Sequence, residues 1–141
     1  MKSRFLFLLS VVLMAISMSA CSEPPYTNIN NSQLQELQKQ GVQVIDIRRP
    51  EEWRQTGVVE GSTQLTAFDK SGRLTENFLP VFESSVNKDT PVVLICRTGN
   101  RTSALAGYLS KELGYSKVYN VSGGITSWMR EGKPVSQCDQ C

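Results

Sequence analysis

The amino-acid sequence predicts an α/β domain: an open parallel sheet flanked by helices. Segments rich in β-branched residues alternate along the chain with segments of helical spacing, the pattern of successive strand–helix units. Pro91-Val92-Val93-Leu94-Ile95 is short and wholly apolar, as a central parallel strand covered on both faces requires. That strand runs straight into a cysteine, a basic glycine-containing loop and a helix.

Ahead of the domain, Lys2 and Arg4 precede an apolar run from Phe5 to Ile16, and the small residues Ser17, Ser19 and Ala20 lead to Cys21. This is the layout of an export signal over residues 1–20. The run is about a dozen residues, whereas a bilayer-spanning helix takes roughly 20. Met18-Ser19-Ala20-Cys21 resembles a lipobox, which makes Cys21 the expected lipidated residue; the alternative is ordinary cleavage nearby, leaving Cys21 a spare thiol. Ser22 after the cysteine matches sorting to an outer membrane. The expected location is therefore the periplasmic side, lipid-anchored to that membrane or, alternatively, soluble, with the membrane engaged through the lipid alone.

Removing residues 1–20 takes away two of the fifteen basic residues and none of the thirteen acidic ones, so the remainder carries no formal net charge. A clustered basic surface for nucleic acid is not expected. The chain has no histidine, which excludes Cys-His and Ser-His-Asp catalysis and any histidine-containing metal site. No metal ligand set is assigned.

Residues 21–28, polar and proline-containing, read as a tether, and the domain as 29–135. Ser32 is placed to cap a helix over Leu34–Gln40 that Gly41 ends. Val42–Ile47 is a strand finishing at an acid, and Pro50-Glu51-Glu52 suits the first turn of a short helix that carries Trp53 inward. A weak strand around Gln64–Thr66 and a helix around Asn77–Ser84, distorted at Pro80, fill the middle. After the central strand come a helix from Thr102 to Leu113, a strand over Lys117–Val121, a Gly123-Gly124 turn and a helix over Ile125–Glu131. Trp53 and Trp128 read as core. Residues 136–141 form a tail with Cys138 and Cys141, which have three readings: a small disulfide, a dithiol that takes sulfur from or reduces Cys96, or an incidental feature.

The chemistry centres on Cys96. Without an imidazole, its thiolate must be favoured by cations and by amides left unpaired at a helix N-terminus. The amides from Arg97 to Arg101 are placed to curl round the sulfur, Gly99 permits the curvature, and Arg97 and Arg101 add charge. Arg97, Thr98, Gly99, Asn100 and Arg101 are thus the candidate binding residues for a small dianion. Asp46 is expected to brace the loop by pairing with Arg48 or Arg101.

Three stretches carry a family resemblance. Val44-Ile45-Asp46-Ile47-Arg48 with Pro50-Glu51-Glu52-Trp53, then Val93 to Arg101, then Val118-Tyr119-Asn120-Val121-Ser122-Gly123-Gly124-Ile125 through Trp128 to Val135 are similar to the signatures of a single rhodanese domain, in order. Val58-Val59 stands where members often have His-Ile, a structural position. The resemblance implies about five parallel strands, sulfur transfer through a cysteine persulfide, and no bound cofactor. It also implies a small sulfur-containing anion such as thiosulfate as donor and a thiol or cyanide-like acceptor. Phosphatases and arsenate reductases with this fold place an arginine after five intervening residues; here that position is Thr102 and Arg101 falls one short, favouring sulfur over phosphorus. The alternative from another class is a catalytically silent module that binds a partner.

Overall fold

The computed structural model describes residues 22–141; residues 1–20, expected to be an export signal, and Cys21, expected to be lipidated, lie outside the described residues. The chain alternates strand and helix throughout: β1 (Thr27–Ile29), α1 (Asn31–Lys39), β2 (Gln43–Asp46), α2 (Pro50–Thr56), β3 (Thr63–Gln64), α3 (Phe78–Ser85), β4 (Val92–Ile95), α4 (Asn100–Lys111), β5 (Val118–Val121) and α5 (Gly124–Arg130). The five strands form one sheet in the order β1-β5-β4-β2-β3, every pairing parallel.

The period of two along β4 sorts the core. Val92, Leu94 and Cys96 point to one face, where Phe78 and Phe82 of α3 and Leu105, Ala106 and Leu109 of α4 cover them. Val93 and Ile95 point to the other, against Leu34 of α1 and Ile125 and Trp128 of α5. Cys96 therefore inherits its side of the sheet from strand alternation, before any loop chemistry acts.

Three expectations are corrected. The helix α1 is capped by Asn30, not Ser32: the Asn30 side chain accepts from the Gln33 N–H at 2.9 Å and the Gln33 side chain accepts from the Asn30 N–H at 2.9 Å. A reciprocal box satisfies two orphan donors where Ser32 satisfies at most one, so the helix starts earlier. The sheet begins at Thr27, inside the stretch read as tether, because Thr27 to Ile29 pair with Tyr119 to Val121 as an edge strand too short and polar to carry a pattern. Pro80 falls in the first turn of α3, where the missing N–H has no helical partner to lose, so no distortion follows.

Chain order places the site. From β2 the chain passes through α2 to β3 on one side; from β4 it passes through α4 to β5 on the other. The loops leaving β2 and β4 diverge and open a crevice at the carboxyl ends of the two strands, where ligands bind in sheets of this kind. Among the described residues no helix is long and apolar enough to cross a membrane.

The crevice is walled by a buried ion pair. Asp46 and Arg48 are 0% and 1% exposed, joined by Arg48 Nη2 to Asp46 at 2.7 Å and Nε at 2.9 Å. Arg48 also donates to Thr56 Oγ1 at 2.7 Å and to the Gly57 carbonyl at 2.9 Å, so its planar fork ties the end of β2 to the end of α2. Arg48→Met leaves a buried carboxylate without its cation and is expected to cost about 3–5 kcal/mol in urea unfolding. The double variant with Asp46→Leu should recover much of that loss; a double variant as unstable as the single one would contradict this account.

Candidate active site

Cys96 follows β4 directly, and Gly99 caps α4 in the left-handed region at φ +93°. A side chain there collides with the Ser122 carbonyl oxygen, so only glycine lets the loop lie against the turn after β5. That turn grips the loop in return. The first amides of α5 donate to the carbonyls of the loop, Ile125 to Cys96 at 2.8 Å and Thr126 to Arg97 at 3.1 Å. A Cβ on Gly124 would sit 2.5 Å from both carbonyl oxygens, which is why a glycine starts α5. The Gly123-Gly124 pair read as a turn is thus the clamp that fixes the backbone beneath Cys96.

The sulfur is enclosed. Cys96 is 1% exposed, and its Sγ accepts one backbone hydrogen bond, from the Gly99 N–H at 3.2 Å, rather than a ring of amides. The remaining first-turn amides of α4 lack partners one turn back, and their positive end still faces the loop. A second contact comes from Thr102, whose hydroxyl lies 3.3 Å from the sulfur. Thr102 in turn donates to Asn120 Oδ1 of β5 at 2.6 Å, and Asn120 Nδ2 donates to Asn28 Oδ1 of β1 at 2.8 Å.

The five loop residues separate in role. Arg97, Thr98 and Asn100 are exposed, Gly99 is buried and Arg101 is partly covered. Arg101 does not face an empty anion site: its two terminal nitrogens hold Glu52 of α2 at 2.8 and 2.6 Å. It does not pair with Asp46, whose partner is Arg48, so of the two bracing arrangements the structure contains the Asp46–Arg48 one. Arg97, by contrast, enters no ion pair among the described residues. With Arg49, Glu52, Thr126 and Met129 it borders a cleft of about 500 Å³ between α2 and α5.

Glu52, Thr102 and Asn120 were not legible as site residues. Glu52 read only as a first-turn acid and Thr102 as a helix start. Asn120, a polar residue inside an otherwise apolar strand, was the one available signal. Glu52 also accepts from the Arg49 N–H at the start of α2. Burial opposes its charge, yet the hydrogen bonds from Arg101 and from the Arg49 backbone outweigh that and hold its carboxyl below the ordinary value. Hydrogen bonding to Glu52 correspondingly raises Arg101.

The tail pair is held at α2. Cys138 and Cys141 form a disulfide, the tail is tied by reciprocal backbone bonds between Ser136 and Val58, and Arg54 donates to the Cys141 carbonyl oxygen. Arg54 lies two positions from Glu52 on α2, roughly 200° around the helix, so the tail docks on the side of α2 away from Arg101. Among the described residues Cys96 is the free cysteine.

The site is a buried cysteine at the carboxyl end of a central parallel strand, next to a helix N-terminus and at the switch point of an α/β sheet. The rhodanese-like domain family matches residues 30–131, and the chain belongs to that family. It is similar to a sulfurtransferase of Allochromatium vinosum, 35% identical over 94 residues that cover 67% of this chain and 78% of that one. It is also similar to the thiosulfate sulfurtransferase GlpE of Tolumonas auensis, 42% identical over 55 residues, 39% of this chain and 51% of that one. Among solved structures, a rhodanese-related protein of Thermoplasma volcanium is 32% identical with a TM-score of 0.59, covering 79% of this chain and 98% of its own. The polysulfide-sulfur transferase homodimer of Wolinella succinogenes, 22% identical with a TM-score of 0.64 over 82% of each chain, shares the fold. These relatives place the chain among the rhodanese-type sulfurtransferases in general kind.

The depressed Glu52 carboxyl sets a pH window. A group whose folded pKa lies below its unfolded value contributes stability above about 4.5, lost as pH falls through the folded value. Glu52→Gln should therefore lower stability by about 1 kcal/mol at neutral pH. Its thermal unfolding curve should merge with the wild type's below that window. A difference that persists at the acid end would show that Glu52 acts through packing instead of charge.

Proposed function

We propose that the protein moves sulfane sulfur from a small anionic donor such as thiosulfate to a thiophilic acceptor through a persulfide on Cys96. The observation that carries this reading is the Cys96 sulfur at the mouth of α4, bonded by the Gly99 amide and flanked by the Thr102 hydroxyl. The Gly99 N–H is a donor that favours a sulfur anion, and the hydroxyl is a second polar group within reach of the sulfur.

In the loading step the Cys96 thiolate attacks the outer sulfur of thiosulfate. The new S–S bond to Cys96 forms as the S–S bond within the donor breaks, and sulfite leaves with the bonding pair. The enzyme then carries a persulfide anion. Cyanide or a thiolate attacks the terminal sulfur, leaves as thiocyanate or as a new persulfide, and returns Cys96 to the thiolate. Donor and acceptor reach the sulfur as the exposed loop residues Arg97 and Thr98 yield, and Arg97, without an ion-pair partner, is the first cation that an incoming anion meets. Arg101, held by Glu52, steadies the loop from the other side. No step requires a cofactor.

Intact-mass measurement tests this directly. Thiosulfate should add about 32 Da, one sulfur, to the purified protein, cyanide should remove it, and Cys96→Ser should show no gain. The 1% exposure of Cys96 favours a second reading, a partner-binding module without turnover. An unchanged mass with thiosulfate and with other sulfane donors would select it.

Residues 1–20 and Cys21 we read as an export signal and a lipid anchor, supported by Lys2 and Arg4 ahead of the apolar run and by Met18-Ser19-Ala20 before the cysteine. Cys21→Ala should abolish incorporation of labelled fatty acid; incorporation that survives the change would remove the anchor from this account.

A further inference from the structure

We propose that Asn120 is a positioning residue for Cys96: through the Thr102 hydroxyl it decides whether the sulfur meets a hydrogen-bond acceptor or a donor. This rests on the reading of Cys96 as the sulfur-carrying nucleophile. Cys96, Thr102 and Asn120 are 1%, 0% and 3% exposed, so water does not supply missing partners here.

The Thr102 hydroxyl has a single hydrogen and three acceptors in reach. Asn120 Oδ1 lies at 2.6 Å, the Gly99 carbonyl at 3.1 Å and Cys96 Sγ at 3.3 Å. The shortest contact takes the hydrogen. With Asn120 holding it, Thr102 turns a lone pair to the sulfur, an arrangement suited to a neutral S–H, which needs an acceptor. A thiolate or a persulfide accepts only, and for those states the hydrogen must come to the sulfur.

Asn120 is built to allow the reversal. Its amide presents an acceptor on one side and a donor on the other, and rotation by half a turn directs Nδ2 at Thr102 Oγ1. Thr102 then accepts from Asn120 and releases its own hydrogen to Cys96. At the far end of the chain Asn28, exposed on the edge strand β1, rotates to match and its remaining group is met by solvent. Three side chains on α4, β5 and β1 thus form a polar line from the buried sulfur to the surface. An apolar residue at 120 would complete the strand's pattern but remove the control.

The charges around Cys96 come from other directions. β2 and α2 bring Asp46, Arg48 and Glu52, already paired, and the loop and α4 bring Arg97 and Arg101. Tyr26 and Tyr115 pack in the same apolar cluster, Tyr26 with its hydroxyl on Ser103 of α4. β5 and α5 contribute Asn120, Ser122 and Thr126, none of which titrates, so a change at 120 to an apolar residue leaves every charge in place.

The test is a titration of the resting enzyme by ultraviolet thiolate absorbance, taken as the difference from Cys96→Ser. Asn120→Val removes the nearest competing acceptor and leaves the Gly99 carbonyl at 3.1 Å and the sulfur at 3.3 Å; a charged thiolate outcompetes the neutral carbonyl for the Thr102 hydrogen, so the thiolate midpoint should fall by about one pH unit, tenfold in thiolate population. Thr102→Val should raise it, Thr102→Ser should restore it, and the double variant should match Thr102→Val alone because Asn120 acts through the hydroxyl. Asn120→Leu, of different volume, repeats the first measurement if the valine variant unfolds. An unmoved midpoint in folded Asn120 variants, or the same downward shift in the Thr102→Val background, would overturn the proposal. The titration needs no sulfur donor: a normal titration with no thiosulfate loading would sink the proposed function while leaving this inference standing.

Discussion

The buried pair of Asp46 and Arg48 is the interaction from which the site is assembled. Two charges at 0% and 1% exposure are tolerable only because each is met in full: the carboxylate by the guanidinium and the Arg48 N–H, the guanidinium by the carboxylate, a hydroxyl and a carbonyl. Those partners span the end of β2 and the end of α2, so the pair sets where α2 lies on the sheet. From that position α2 presents Glu52, Glu52 holds Arg101, and Arg101 belongs to the first turn after the Cys96 loop. Loop geometry is thereby linked, through two ion pairs of decreasing burial, to a charge placed at the core edge of a strand.

The other side of the loop is held by backbone alone. Amides at the start of α5 bond the carbonyls of Cys96 and Arg97, and glycines at 99 and 124 allow an approach that any side chain would block. Histidine is absent from the chain, so the surroundings of the thiol consist of backbone, hydroxyl and arginine groups. The groups around the sulfur are one amide, a hydroxyl and a helix terminus, and the two arginines nearby differ: Arg101 is held by Glu52 and Arg97 faces solvent.

Seen this way, the rhodanese-like assignment has a physical basis beyond its signatures. In place of the expected curl of amides from Arg97 to Arg101, the buried sulfur has a single amide contact, and of the two candidate arginines Arg101 is held by Glu52 while Arg97 enters no ion pair among the described residues. The tail disulfide lies by α2, where Arg54 donates to the Cys141 carbonyl oxygen.

Sequence alone determined the alternation of strands and helices, the central strand, and Cys96 at the strand-to-helix junction, because those depend on local periodicity and on residue types with few conformational choices. It also located the Pro50 helix start and the glycines after β5. Tertiary structure decided what cannot be local. Which of Arg48 and Arg101 takes Asp46 depends on where α2 comes to rest. That Asn120 lies beneath Thr102 depends on β5 packing against α4, residues 18 positions apart in sequence. The edge strand at Thr27–Ile29 exists only because β5 offers it a partner. Hydrogen-bond partners and ion pairs between distant segments follow from the packed arrangement as a whole, and a linear pattern carries no record of that choice.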